Sequence, residues 1–298
     1  MTKKVSHSFG SGNPYVDPYI GVVAEFEAFY HHGLLPKPLY AEFTNNCLNR
    51  SVIENEYCDG LTVKMLEVSD MDTHINPYAL DFPMCLDKPE SRRRNLKHSE
   101  DHHEHHHSYA QSQQVFTLYE KSALTPPYLP SADRYHPCNQ VNLAKYLNLK
   151  KVRKALHVRP QARDEWTACF IGIKYSEEDV NTPSIPQIRE LIEMGAQGQH
   201  DLDFVLFSGD DDGVCPTAST QDWIWDMGFN ASSMWKPWMV EGQTVGFVTN
   251  FDLGPETNAT FRFVTIHGAG HEVPAYRPLE ALELLKMFLS GSWDLVRA

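Results

Sequence analysis

FRFVTIHGAGHEVP, residues 261–274, joins the marks of a buried strand to those of a functional loop. Its first half alternates and is rich in Phe, Val, Thr and Ile, which predicts a strand over Phe261–Ile266. Gly268 and Gly270 then allow a tight turn. His271 follows at once, and Glu272, Val273 and Pro274 lead into a helical pattern from Tyr276 to Leu289. A histidine on a glycine-flanked loop at the end of a strand is well placed to act as a general base.

An earlier stretch repeats the layout. FVLFSGDDDGVCP, residues 204–216, runs from an apolar strand through glycine and an acidic loop to proline and a helix. Asp and then His at two strand ends match the last two members of a Ser…Asp…His order. Taken alone, Asp212 would be a turn or N-cap residue and His271 a structural histidine. The pairing of the two loops favours chemistry.

With 298 residues the chain is long enough to bury a large core. Its hydrophobic fraction of 42% and charged fraction of 22% are those of a globular protein. A formal charge of −13 argues against nucleic acid as a partner. No apolar run reaches the length of a membrane span, and MTKKVSHSFGSG has no apolar signal-peptide core. The six cysteines and the sequons at Asn49, Asn230 and Asn258 point instead to an oxidising, secretory-route origin.

Residues 1–11 are polar, with almost no apolar periodicity, and are expected to form a disordered arm. Residues 12–35 open the core with a dense turn signal, GNPYVDP, and a helix carrying Ile20, Val23, Ala24, Phe26, Phe29 and Tyr30. Residues 36–141 are expected to be an insertion. Helices are read over 39–48 and 52–67, and Tyr78 to Cys85 as extended. Within it lies a low-complexity tract, 91–110, with His98, His102, His103, His105, His106 and His107. Such a tract supplies no fixed geometry for a metal, so it reads as a solvated insertion with no metal site. Its Arg92-Arg93-Arg94 run would be open to proteolytic nicking. Residues 142–298 resume the core. Two short helices and one over Ile185–Met194 precede strands at Phe204–Phe207, Val245–Val248 and Phe261–Ile266, with helices at Gln221–Met227 and Pro278–Leu289.

These pieces together resemble serine carboxypeptidases, peptidase family S10, most of all the plant-like branch. The resemblance is carried in order by GNPYVDP (12–18), YALDFPMC (78–85), YLNLKKVRKALHV (146–158), Trp166 with Cys169, SGDDDGVCP (208–216) and HGAGHEVPAYRPLEAL (267–282). It implies an α/β-hydrolase fold, present here as an incomplete α/β sheet domain with a helical cap insertion. It implies a serine-type carboxypeptidase acting on peptides, with no cofactor. Asp212 would be the triad aspartate and His271 the general base. Asp210 would shape the loop, and Glu272 would line the leaving-group pocket and suit a basic C-terminal residue. Disulfides Cys47–Cys58 and Cys85–Cys138 are implied, with Cys169 and Cys215 unpaired. A secretory, vacuolar, lysosomal or extracellular location is implied as well.

The nucleophile is missing from the pattern. No Gly-x-Ser-x-Gly occurs in the chain, and Gly10-Ser11-Gly12 lacks the outer glycines. By resemblance the chain corresponds to the C-terminal portion of a carboxypeptidase, and a separate N-terminal half is the implied partner. Two alternatives stand beside hydrolysis: a catalytically inactive relative acting in binding, and an acyltransferase using the same Asp and His.

Overall fold

A computed structural model describes residues 8–48, 55–71, 74–85, 135, 137–168, 172–293 and 295. Five strands form one sheet in the order β1-β2-β5-β4-β3. They are β1 (Ser8–Gly12), β2 (Asp203–Gly209), β3 (Ala231–Val240), β4 (Gln243–Phe251) and β5 (Thr260–Ile266). Strands β1, β2 and β5 are mutually parallel, while β4 and β3 run antiparallel at the other edge.

The sheet is covered on both faces, and the period-2 pattern of its central strands shows why. Phe204, Leu206, Phe261 and Phe263 pack on one face with Ile192, Trp223 and Ile224. Val205, Val264 and Ile266 pack on the other with Leu284 and Met287. A third core, with Phe26, Phe29, Phe43 and Met65, sits among helices and encloses Cys47 and Cys58. The helices are α1 (Pro18–His31), α2 (Lys37–Asn46), α3 (Glu56–Ser69), α4 (Asn139–Leu147), α5 (Lys150–Ala155), α6 (Glu177–Asn181), α7 (Ile185–Ala196), α8 (Thr217–Asp226), α9 (Val273–Tyr276) and α10 (Pro278–Ser290). Asp17 caps α1 through its side chain, with Pro18 at the first helical position. Both expected disulfides are formed, Cys47–Cys58 between α2 and α3 and Cys85–Cys138.

Three expectations need correction. Residues 8–11, expected within a disordered arm, belong to β1, which pairs in register from Ser8↔Asp203 to Gly12↔Phe207. SFGSG has little apolar signal because this strand is held by its backbone ladder. Its one large side chain, Phe9, lies 4.8 Å from the Phe204 ring. A Cβ on Gly12 would come within 2.4 Å of the Phe207 ring, so small residues let β1 approach. Tyr78 to Cys85, read as extended, forms turns and joins no strand. The Asn76 side chain accepts from Tyr78 N, and Leu80 N donates to the Asp211 carbonyl. Strand β3 was not expected. Its composition is mixed and it contains Pro237, which only an edge strand tolerates.

The tract 91–110, Asn49 and Cys169 lie outside the described residues. Asn230 and Asn258 are exposed, and Cys215 is a buried free thiol. No described helix is long and apolar enough to cross a membrane.

Candidate active site

Strands β2 and β5 are parallel neighbours whose last residues, Gly209 and Ile266, are register partners. Their loops therefore leave the sheet side by side at its C-terminal edge, where open α/β sheets place ligands. The contact is close. Asp211 N donates to the Ala269 carbonyl at 2.9 Å, and Asp210 N to the Ile266 carbonyl at 3.2 Å. His271 N donates to the Tyr78 carbonyl at 2.7 Å, which ties the turn after Asn76 to the same corner.

The three aspartates of GDDD face three different partners. Asp210 accepts from Gly268 N at 2.6 Å and lies 2.7 Å from His267 Nδ1, so it stitches one loop to the other. Asp211 is buried, and both of its carboxylate oxygens accept from Asp81 N at 3.2 Å. Burial pushes its carboxyl up to about 6, opposed by that backbone hydrogen bond. Asp212 is buried, and its Oδ2 lies 2.8 Å from His271 Nδ1.

Asp212 is held from every side. Its Oδ1 accepts from Val214 N at 2.9 Å and Cys215 N at 3.1 Å. Its Oδ2 also accepts from Asn13 Nδ2 at 2.6 Å. A carboxylate only accepts, so His271 Nδ1 carries the proton and Nε2 keeps its lone pair. The structure thus brings together Asp212 and His271, which stand 59 positions apart in the sequence.

His271 titrates above its ordinary 6.5. Burial lowers it, but the hydrogen bond and charge of Asp212, joined by the charge of Glu272, outweigh burial. A raised histidine contributes stability that is fully present below about 6.5, its unfolded value, and that is lost as pH rises through the folded value. We expect NMR titration to place the His271 midpoint above 6.5, to lower it strongly in Asp212→Asn and to lower it less in Glu272→Gln. An unchanged midpoint in Asp212→Asn would contradict this assignment.

Glu272, the residue expected to line a leaving-group pocket, precedes α9 without a side-chain capping bond and accepts from Tyr276 OH at 3.1 Å. Tyr276 stacks on Tyr135 at 4.6 Å, and burial pushes both phenols well up, so they remain protonated donors. Cys215 Sγ lies within 4.8 Å of ligand atoms of Asp212 and His271. Burial, then the charges of Asp212 and Glu25, push its thiol well above 9. A thiol so held is no nucleophile at neutral pH, and each oxygen of Asp212 already accepts two hydrogen bonds, where each oxygen of Asp211 shares the single donor Asp81 N.

Sequence reasoning missed two members of this site. Asn13 opens the turn that follows β1, in the left-handed region at φ 45°, and is buried against Asp212. Its only local mark was the Gly-Asn-Pro turn. Glu25 lies on α1, between Ala24 and Phe26, and no motif marks it. Its carboxyl is enclosed, though part of the residue stays open to solvent, and burial, with repulsion from Asp212, pushes it up to about 8. An acid raised in this way costs stability as pH climbs from about 4.5 towards 8, because the folded state holds the proton more tightly. We expect Glu25→Gln to gain in melting temperature over the parent chain progressively from pH 5 to pH 8. A constant difference across that range would show that Glu25 is not enclosed.

A separate cavity of about 300 Å³, lined by Ser232, Asn250, Thr260 and Arg262 among others, opens near the start of β5. That is the opposite end of the strand from His271, so it takes no part in the site.

The chain is similar to known proteins over most of its length. The family profile described as serine carboxypeptidase matches residues 7–291. Serine carboxypeptidase-like 37 of Arabidopsis thaliana is 28% identical, over 94% of this chain and 49% of its own length. Serine carboxypeptidase II-1 of Hordeum vulgare is 28% identical, over 94% of this chain and 74% of its own. The chain spans about half the length of most such relatives. Among solved structures, Kex1(delta)p, a prohormone-processing carboxypeptidase from Saccharomyces cerevisiae, superposes with a TM-score of 0.54 at 17% identity. The superposition covers 96% of this chain and 55% of the other, and it shows a shared α/β-hydrolase fold.

Proposed function

The chain belongs to the serine carboxypeptidase family, and from that premise we propose that it carries the acid and the base of a serine-type carboxypeptidase. The observation that supports this most is the 2.8 Å hydrogen bond between the buried carboxylate of Asp212 and Nδ1 of His271. In this reading Nε2 of His271 takes the proton of a serine hydroxyl as that oxygen attacks the carbonyl of a C-terminal peptide bond. It then returns the proton to the leaving amine, while Asp212 holds the tautomer and stabilises the imidazolium. Glu272, beside His271, favours substrates whose released residue is basic. The serine and the donors that would stabilise the oxyanion come from polypeptide other than these 298 residues, in a sequence without any Gly-x-Ser-x-Gly.

The test is reconstitution. The chain is co-expressed with a nucleophile-bearing N-terminal half from the family, and hydrolysis of a blocked dipeptide is followed. Turnover is expected, and His271→Ala is expected to abolish it. A soluble complex of the two halves with no turnover would favour a second reading, a relative that binds peptides without cutting them, for which the missing elbow speaks. Transfer of an acyl group to an added acceptor in place of water would favour the acyltransferase chemistry that the same pair supports. A secretory-route location agrees with the two disulfides.

A further inference from the structure

Of the three aspartates in GDDD, Asp210 ties the two loops together and Asp212 holds His271, which leaves Asp211 with neither task. Its carboxylate is buried and turned towards two other elements. Asp81 lies on the turn after Asn76, and His32 caps the C-terminal end of α1. One ligand atom from each of His32, Asp81 and Asp211 lies within 4.8 Å of the other two. The three residues come from widely separated parts of the chain and meet only in the fold.

The state of His32 gives this cluster its meaning. Its Nδ1 lies 2.8 Å from the Ala28 carbonyl, which can only accept, so Nδ1 carries the proton. In the neutral ring Nε2 therefore presents a lone pair, and it stands 3.8 Å from Asp211 Oδ1. A lone pair set against two carboxylates is repulsive unless a positive charge lies between them. A charge-assisted hydrogen bond would draw the atoms to about 2.7–2.9 Å. Two donors on one zinc ion, with bonds of about 2.0–2.1 Å, stand about 3.3 Å apart at the tetrahedral angle, so the pair at 3.8 Å must close by about half an ångström to share an ion. Among the described residues no lysine or arginine pairs with Asp81 or Asp211. His32 and Asp81 are exposed, so an ion has a route in, while buried Asp211 fixes the inner wall.

We propose that His32, Asp81 and Asp211 form a binding site for a borderline divalent cation, with zinc the best fit to one imidazole and two carboxylates. Water completes the coordination on the open side. The bound ion clamps the end of α1 and the turn after Asn76 to the aspartate loop, one residue from Asp212. The site is independent of the carboxypeptidase reading and stands or falls without it.

Zinc titration against a chromogenic indicator tests this, using the full chain with His98, His102, His103, His105, His106 and His107 changed to serine, so that the histidine-rich tract cannot contribute. One equivalent is expected to bind. His32→Gln and Asp81→Asn, both at exposed positions, are each expected to weaken it at least about tenfold, with near-ultraviolet circular dichroism unchanged. Cys215→Ser is expected to leave it alone. In the unaltered chain the same two substitutions are expected to remove one equivalent. Absence of binding in the tract-free chain, binding that survives His32→Gln, or binding lost with Cys215→Ser instead would each overturn the proposal.

Discussion

Asp212→Asn is expected to lower kcat of the reconstituted enzyme by about 10⁴-fold while KM changes little. The surroundings of the residue dictate this outcome. Val214 N and Cys215 N both donate to Oδ1, so an asparagine must place its oxygen there. Its NH₂ then occupies the position of Oδ2. Two donors already point at that position, Asn13 Nδ2 at 2.6 Å and His271 Nδ1 at 2.8 Å. Donor against donor is repulsive, and the imidazole relieves it by moving its proton to Nε2. Nδ1 then accepts from the amide, and Nε2 has no lone pair left to take the serine proton. Steady-state kinetics would measure the loss, and nitrogen NMR of His271 would show the tautomer change. A variant that keeps its rate, or loses rate with an unaltered tautomer, would remove Asp212 from its assigned role.

Gly209→Ala is expected to destabilise the chain by about 3 kcal/mol and to disturb the Asp212–His271 pair as well. A Cβ at Gly209 would lie 2.3 Å from the Ala269 carbonyl oxygen and 2.6 Å from that of Gly270. Both obstacles are backbone of the histidine loop, so no side chain can swing aside. Relief requires the two loops to part, and parting them breaks the bonds from Asp211 N to the Ala269 carbonyl and from Gly268 N to the Asp210 carboxylate. Gly60 is the control. It lies inside helix α3, and a Cβ there meets nothing within 4 Å. Gly60→Ala is expected to stabilise by about 0.5–1 kcal/mol, because alanine loses less backbone entropy on entering a helix. Denaturant unfolding of both variants checks the opposite signs. Equal effects would mean that the two loops do not touch.

Much of the candidate site was legible because its signals are local. The alternation in FRFVTI and the apolar run in FVLF are properties of short windows, and each is followed by its own glycine turn. That is enough to locate Asp212 and His271 at two strand ends. It is not enough to make them neighbours. Adjacency follows from β2 and β5 pairing in parallel, with Gly209 opposite Ile266. Strand β1 escaped notice for the complementary reason. SFGSG forms a strand through backbone pairing to β2, and backbone hydrogen bonds leave no mark in side-chain hydropathy. Tyr78 to Cys85 erred the other way, since apolar content alone does not distinguish a strand from a packed turn.

From the linear order of its residues this protein had its α/β class, the two candidate residues Asp212 and His271, and most of its helices and strands. Those features depend on periodicity and turn chemistry within a few residues of each position. The folded chain alone decided what surrounds the pair: Asn13 on the carboxylate of Asp212, Glu25 enclosed nearby, and Asp211 facing His32 and Asp81. These are encounters between distant segments. They are set by strand register and by helix packing against the sheet, and no short window of sequence records either.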